Sequence, residues 1–480
     1  MRFSQNIRFK LVSNTIVQIA GTFLTSLVGL LIVIKIARNL KAENFGLYTF
    51  VLFFIGLFKY LMFAAADPIF VQRMSVENKE QARLVMGNML IIKLVLGLVA
   101  ALVTALMINL LGYPQINRVL VYIGCLVFLS SVFASSVTVL NANLKMVYDA
   151  FAGIISALFY LIWVVVAFQL GRGLAAVVWG WVICDMLRWI IVFWASRSIL
   201  RPKFAIDIML WKDILKKSSP LWLSALFIAV MFHADILILS KIKSNHDVGI
   251  YGAASRIIRF LIIFPQAIGV SAFPLLSKLY VSDKERFRKL YYRISDYIII
   301  IALPLTAGIF IFSNHIVLAL FKSEFWETAA ALRILILSIP FLFLGMHCSY
   351  ALVAANQRIK SMLCSFLGAA ASLGLNLVFI TRYGLQGAAL AWVISQAVIF
   401  MALIYYLYKT ERLSLSPGLL PSVVFINIIF VIAAILLRPA ALYYSIPLLI
   451  FIYFLLACLC NCINLRDFLL MLEIDSGENE

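Results

Sequence analysis

The chain has 480 residues, 64% of them apolar, and a mean hydropathy of +1.04. That excludes an ordinary soluble protein, for which about 45–50% apolar is usual. The long, continuously apolar runs also exclude a transmembrane barrel, whose strands alternate. The formal charge of +19 sits in short segments between those runs. It requires no nucleic acid, and basic loops of this kind attract anionic lipid headgroups.

A membrane helix needs about 20 apolar residues. The hydropathy pattern predicts fourteen such spans, near 11–34, 46–70, 84–111, 116–140, 150–170, 174–195, 218–240, 252–276, 294–320, 329–352, 361–380, 385–408, 419–437 and 443–462. The expected fold class is an all-α polytopic membrane protein. The basic start, MRFSQNIRFK, leads into a long span with no convincing cleavage site, which reads as an uncleaved first helix. With the N-terminus inside, the inner segments carry 24 Lys and Arg and the outer ones 10. By the positive-inside rule both termini are then cytoplasmic. The richest inner loops are Arg197–Lys217 and Lys278–Arg293.

Two stretches repeat. Phe45–Phe50 (FGLYTF) returns as Val248–Ala253 (VGIYGA), an offset of 203. Gly173–Asp185 returns as Gly384–Gln396, an offset of 211, with Gly, Leu, Trp, Val and Ile in register. Six spans per repeat is an even number, so the halves insert in the same direction, as parallel repeats. The expected units are a six-helix lobe over 1–210, a second over 211–415, and two further helices with a tail over 416–480. Paired repeats of this kind hold a site at their interface and alternate its access.

Lys35–Phe50 (KIARNLKAENFGLYTF) resembles the pattern RxLGxxxFGxYxF of the polysaccharide and oligosaccharide flippases of the multidrug/oligosaccharidyl-lipid/polysaccharide exporter superfamily, the O-antigen flippase type. Asn39-Leu40-Lys41 replaces the usual Leu-Gly. His233–Ile257 is similar to that family's DxxxLGxxxxxxxVGxYxxA, with Ser240 where Gly is common. Ser271–Tyr280 and Glu324–Phe341 match two further segments, so the resemblance covers roughly residues 10–410. It implies two six-helix lobes in a V around a central cavity. It also implies movement of an undecaprenyl-pyrophosphate-linked glycan across a bacterial inner membrane, in O-antigen, lipopolysaccharide or other surface polysaccharide biosynthesis. Other polysaccharide assembly proteins are expected partners.

Charges deep in a bilayer are costly unless they face protein or water, so they mark candidate sites. Lys59 lies 13 residues into the second span and Lys93 nine into the third. Arg256 and Arg259 share a flank of the eighth span at i, i+3. These four cations are the candidate pyrophosphate ligands or field sources. Guanidinium forks suit phosphate oxygens. Asp67 and Asp235 are the candidate carboxylates for coupling to H⁺ or Na⁺. A rival role for Asp235 is a bridge to Arg256 or Arg259; Asp67 could instead sit at the inner headgroups. Asp185 and Arg188 read as a local i, i+3 salt bridge. With the 203 offset Arg256 corresponds to Phe53, and Lys59 to Ile262, so the charges are not duplicated.

Four His without HxxxH or HExxH make a metal site improbable. Cys458, Cys460 and Cys462 turn about 200° from one another on a helix and cannot converge. No nucleotide-binding signature is present, so no cofactor and no direct use of ATP are expected. Two readings compete with the flippase. A multidrug or organic-cation antiporter would line its cavity with carboxylates and aromatics. A membrane glycosyltransferase or polymerase would need carboxylates and a sizeable extramembrane loop.

Overall fold

A computed structural model describes residues 2–62, 78–415, 420–437, 448–449, 451–453 and 455–457. The described residues form fourteen α-helices and no strand. They make nine helical stretches long and apolar enough to cross a membrane, or ten if a pair bent by 43° counts as one span. The chain is a multi-pass helical membrane protein. Asp67, Cys458, Cys460, Cys462 and the acidic tail lie outside the described residues.

Helix α1 (Arg2–Lys59) contains the first two spans. As a straight rod of 58 residues it would run about 87 Å, against a hydrocarbon thickness of about 30 Å. It is instead a hairpin. The Phe23 ring lies 6.3 Å from that of Phe260, and the Phe53 ring 4.2 Å from Cζ of Arg259. Residues 23 and 53 therefore flank the same point. The reversal is at Lys41, which takes φ 61° and ψ 170°. The family pattern has glycine there, and only glycine adopts such a φ without strain. The turn is tied to the second half of the chain: Arg38 donates to the carbonyls of Ala319 and Leu320, and the Ala42 amide donates to Glu324 at 2.9 Å.

Helices α2 (Lys79–Leu110), α3 (Gln115–Ser130), α4 (Ser136–Ala142), α5 (Val147–Gln169) and α6 (Leu174–Arg197) complete the first half. In α2 the exposed Leu94, Leu98, Leu102 and Leu106 recur every fourth residue, a stripe suited to lipid. Ala100, Thr104 and Ile108 are buried on its other side.

The second half runs through α7 (Ile208–Ile242), α8 (Asn245–Leu261), α9 (Ile263–Ser282), α10 (Lys284–Phe321), α11 (Thr328–Ile336), α12 (Ile339–Ala354) and α13 (Arg358–Glu411). Like α1, α13 is a hairpin. It reverses at Gly384 (φ 59°), and a Cβ on Gly368 would lie 3.2 Å from Cβ of Ile399. Counting each hairpin as two spans and the bent pair as one raises the nine to twelve of the fourteen predicted, and the last predicted span, 443–462, lies mostly outside the described residues. A final helix, α14 (Leu420–Leu437), buries Val423, Ile426, Phe430 and Ala434. A Cβ on Gly308 of α10 would meet the Phe430 ring at 3.6 Å, so α14 docks on the ninth span.

The repeat register explains how the halves meet. Residues 42, 46, 49 and 53 lie on one face of the second span, and adding 203 gives 245, 249, 252 and 256 on α8. These equivalent residues pack against each other. A Cβ on Gly46 would fall 1.8 Å from the Asn245 carbonyl oxygen, and one on Gly249 would fall 2.0 Å from that of Ala42. A Cβ on Gly252 would lie 3.3 Å from Cβ of Thr49. Without a hydrophobic effect between helices in lipid, such backbone approach is what small residues permit. At the same end Tyr113 shares a hydrogen bond of 2.8 Å with Ser240, and Lys241 lies 4.1 Å over the Tyr113 ring while donating to the Leu111 carbonyl. The two copies of the repeated motif thus seal one end of the interface.

Candidate functional site

Below the glycine contact, the next equivalent pair is Phe53 and Arg256. Cζ of Arg256 lies 5.4 Å from the Phe53 ring centre, and Cζ of Arg259, one turn on, lies 4.2 Å from the same ring. Arg259 also stands 5.4 Å over Phe232 and donates to the Phe232 carbonyl. Each cation–π contact is worth about 0.5–1 kcal/mol, and about 2 where water is excluded. Phe53 itself is buried. Nε and Nη2 of Arg256 are buried without a hydrogen-bond partner among the described residues. An unmade bond of that kind costs about 1–3 kcal/mol.

Asp235 does not supply the missing partner. It is 1% exposed and accepts from Tyr251 at 2.6 Å and from the Ile236 amide at 2.7 Å. Among the described residues neither arginine has a carboxylate oxygen within 4.0 Å. The expected Asp235–arginine bridge is therefore replaced by a tyrosine contact within the second half. Tyr48, the repeat equivalent of Tyr251, likewise turns into its own half, its hydroxyl 3.3 Å from that of Tyr160. The crevice lined by Asp235, Tyr251, Ser255, Ile258, Arg259, Leu335 and Trp392 holds about 10 Å³, room for about one water.

The other candidate cations are elsewhere. Lys59 is six residues beyond Phe53, about 240° around the helix, and points into the first half. Its Nζ lies 3.7 Å from Asp185, with side-chain exposures of 37% and 16%; Ser130 donates to the other carboxylate oxygen. The local Asp185–Arg188 bridge does not form. Arg188 reaches Asp149 on α5 at 3.1 Å instead. The reason is packing: α5 lies along α6 and offers Asp149, while the end of the second span brings Lys59 to Asp185. Lys93 is 3% exposed, on the face of α2 that also buries Met86, Met89 and Gly97. The structure brings together two of the four cations. Sequence reasoning missed Phe53 as their common neighbour, although the 203 offset had already matched it with Arg256. His233 packs edge-on against Phe53 at 5.4 Å, with Nδ1 2.8 Å from the Ala229 carbonyl oxygen.

The glycine contact, the paired halves and the half-buried arginines make up the candidate site of a multi-pass helical membrane protein. The chain belongs to the family described as "Polysaccharide biosynthesis protein", whose sequence profile matches residues 36–331. Its fold is similar to that of the lipid II flippase MurJ in an inward closed conformation, with TM-score 0.77, 19% identity, and coverage of 95% of this chain and 100% of that one. It is also similar to an inward-facing multidrug resistance MATE family transporter of the MOP superfamily, with TM-score 0.68, 16% identity, and coverage of 83% and 98%. Among curated proteins it is 23% identical to an uncharacterized membrane protein of Methanocaldococcus jannaschii over 73% of this chain and 87% of that protein. It is 27% identical to the probable flippase AglR of Haloferax volcanii over 63% and 64% of the two chains. A probable low-salt glycan biosynthesis flippase of the same organism is 29% identical over 34% of this chain and 35% of its own length.

Proposed function

We propose that this protein is a flippase that carries a polyprenyl-pyrophosphate-linked oligosaccharide from the cytoplasmic to the outer leaflet by alternating access. The observation that carries this reading is the half-buried pair Arg256 and Arg259, at the contact of the repeat halves and, among the described residues, without a carboxylate oxygen within 4.0 Å. A buried guanidinium with unused donors favours an anion, and a pyrophosphate offers paired acceptors to each fork. The family and the glycan flippases among the relatives support the same class. An organic-cation antiporter calls for the opposite polarity at this position, and nothing in the reading requires catalysis.

In this scheme residues 1–210 and 211–415 rock as two lobes, and the glycine contact is the outer gate. The lipid tail stays in the bilayer while the glycan crosses a watery cavity. Lys59 and Lys93 add positive potential from the first lobe. Asp235 is the carboxylate we assign to ion coupling by H⁺ or Na⁺; Asp67 is its alternative. O-antigen or another surface polysaccharide unit on an undecaprenyl carrier in a bacterial inner membrane is the specific cargo and setting we put forward. The test is flipping in proteoliposomes with a fluorescent polyprenyl-pyrophosphate oligosaccharide, read by its accessibility to an external quencher. The wild-type protein accelerates exchange. Replacing both Arg256 and Arg259 with Ala removes the acceleration while the protein stays folded. Unchanged flipping by that variant, or transport of an organic cation but not of the glycolipid, would refute the reading.

A further inference from the structure

Phe53 and the two arginines come from opposite halves of the repeat, yet one ring receives both guanidiniums. Cζ of Arg256 is 5.4 Å and Cζ of Arg259 4.2 Å from its centre. The negative face of the ring partly compensates two like charges that, among the described residues, have no carboxylate oxygen within 4.0 Å. Directly above, the halves touch through Gly46, Gly249, Thr49 and Gly252, where Gly46 and Gly249 face the Asn245 and Ala42 carbonyls and the contacts are dispersion with weak C–H···O attraction. The charged groups that this helix pair brings together meet at Phe53. Arg259 has a second seat in its own half, against the Phe232 ring at 5.4 Å and the Phe232 carbonyl. It can keep that seat if the halves part.

We propose that Phe53 is the latch of the gate, a positioning residue that holds the closed seal while the arginines carry no anion and lets go when an anion binds. The inference rests on the anion-binding reading of Arg256 and Arg259 given above. Space supplies the link between binding and release. The crevice beside Arg259 holds about 10 Å³, enough for about one water and not for a pyrophosphate. The Phe53 ring itself stands against both guanidiniums, at 5.4 and 4.2 Å from their Cζ atoms, so an anion that engages both must displace that ring from α8. Charge-assisted bonds to the anion are stronger than the ring contacts they replace. The same movement draws Gly249 and Gly252 away from Gly46 and Thr49. Binding at the axis is in this way converted into loosening of the seal one to two turns above it.

The experiment measures how fast Thr49→Cys and Gly252→Cys form a disulfide in the purified full-length protein, with the linked peptides quantified by mass spectrometry. A Cβ on Gly252 stands 3.3 Å from Cβ of Thr49, close to the span a disulfide needs. With Phe53 present, cross-linking is fast, and inorganic pyrophosphate slows it at least fivefold. With Phe53→Leu, which keeps an apolar side chain, cross-linking is at least fivefold slower without any anion. Adding pyrophosphate to that variant then changes little. Phe53→Tyr keeps a ring face and restores the fast rate, which separates the latch from simple loss of packing. A Phe53→Leu protein that cross-links at the original rate overturns the latch. Pyrophosphate that binds the original protein by calorimetry without slowing cross-linking overturns the release step. Failure of pyrophosphate to bind at all instead strikes the anion-site reading, while the anion-free rate of Phe53→Leu still decides the latch.

Discussion

Two groups of charge inside the membrane-spanning region meet the second span within two turns of each other, at Phe53 and at Lys59, and they are built differently. Lys59, Asp185 and Ser130 form a closed set inside the first half: the cation is 3.7 Å from its carboxylate, whose second oxygen is also bonded. Arg256 and Arg259 lie across the interface of the halves against an aromatic ring, and two donors of Arg256 have no partner. A paired charge is held by its surroundings and contributes to local structure. An uncompensated pair at an interface is costly, and a ligand that compensates it gains what the empty site lacks. Depth in the membrane selects both groups as candidates; pairing separates them.

That contrast can be broken by substitution, and the largest effect is expected at the arginines. Arg256→Ala or Arg259→Ala should lower flipping about a hundredfold, with normal insertion and a normal elution profile. Lysine at either position should recover only part of the rate, because it brings charge without the fork. Full recovery by lysine would reduce the site to a point charge. At the other group, Lys59→Ala strands Asp185 and should lower thermal stability in detergent by about 1–3 kcal/mol, less than for a fully buried pair because Lys59 is partly exposed. Adding Asp185→Asn should restore most of that stability and keep flipping within a few-fold. If flipping is lost in the stable double variant, Lys59 acts on the substrate and the two groups are not distinct.

The smallest effect is outside both groups. Lys41 carries a positive φ where the family pattern has glycine. Lys41→Gly should stabilise the protein by about 1 kcal/mol in thermal unfolding, with flipping unchanged. A loss of stability would mean that the exposed side chain makes a contact worth more than the strain.

The spans were readable because hydropathy reports the solvent each segment meets, whatever its neighbours. The two hairpins were bounded as well, since Lys41 falls between the spans 11–34 and 46–70 and Gly384 between 361–380 and 385–408. The Lys41 reversal sits in the polar stretch 35–44 and the Gly384 reversal beside Thr381 and Arg382, both in gaps between predicted spans, while each helix runs on with one residue out of helical geometry. Which buried ions matter was partly legible, since charge in an apolar run stands out. Their partners were not. Asp185 and Arg188 have ideal i, i+3 spacing, but neighbouring helices offered Lys59 and Asp149. Asp235 had arginines nearby in sequence and took Tyr251. Partner choice depends on helix rotation, and one sequence carries little information about that. The repeat offset came closest, matching Phe53 with Arg256 before any contact was known. Sequence equivalence became spatial contact because both residues lie on the axis.

The central claim is that this axis opens and closes during transport. The direct measurement is glycolipid flipping by the Thr49→Cys, Gly252→Cys protein in proteoliposomes, before and after oxidation and again after reduction. Oxidation should stop flipping in proportion to the fraction cross-linked, and reduction should restore it. Undiminished flipping with the cross-link complete would contradict the account.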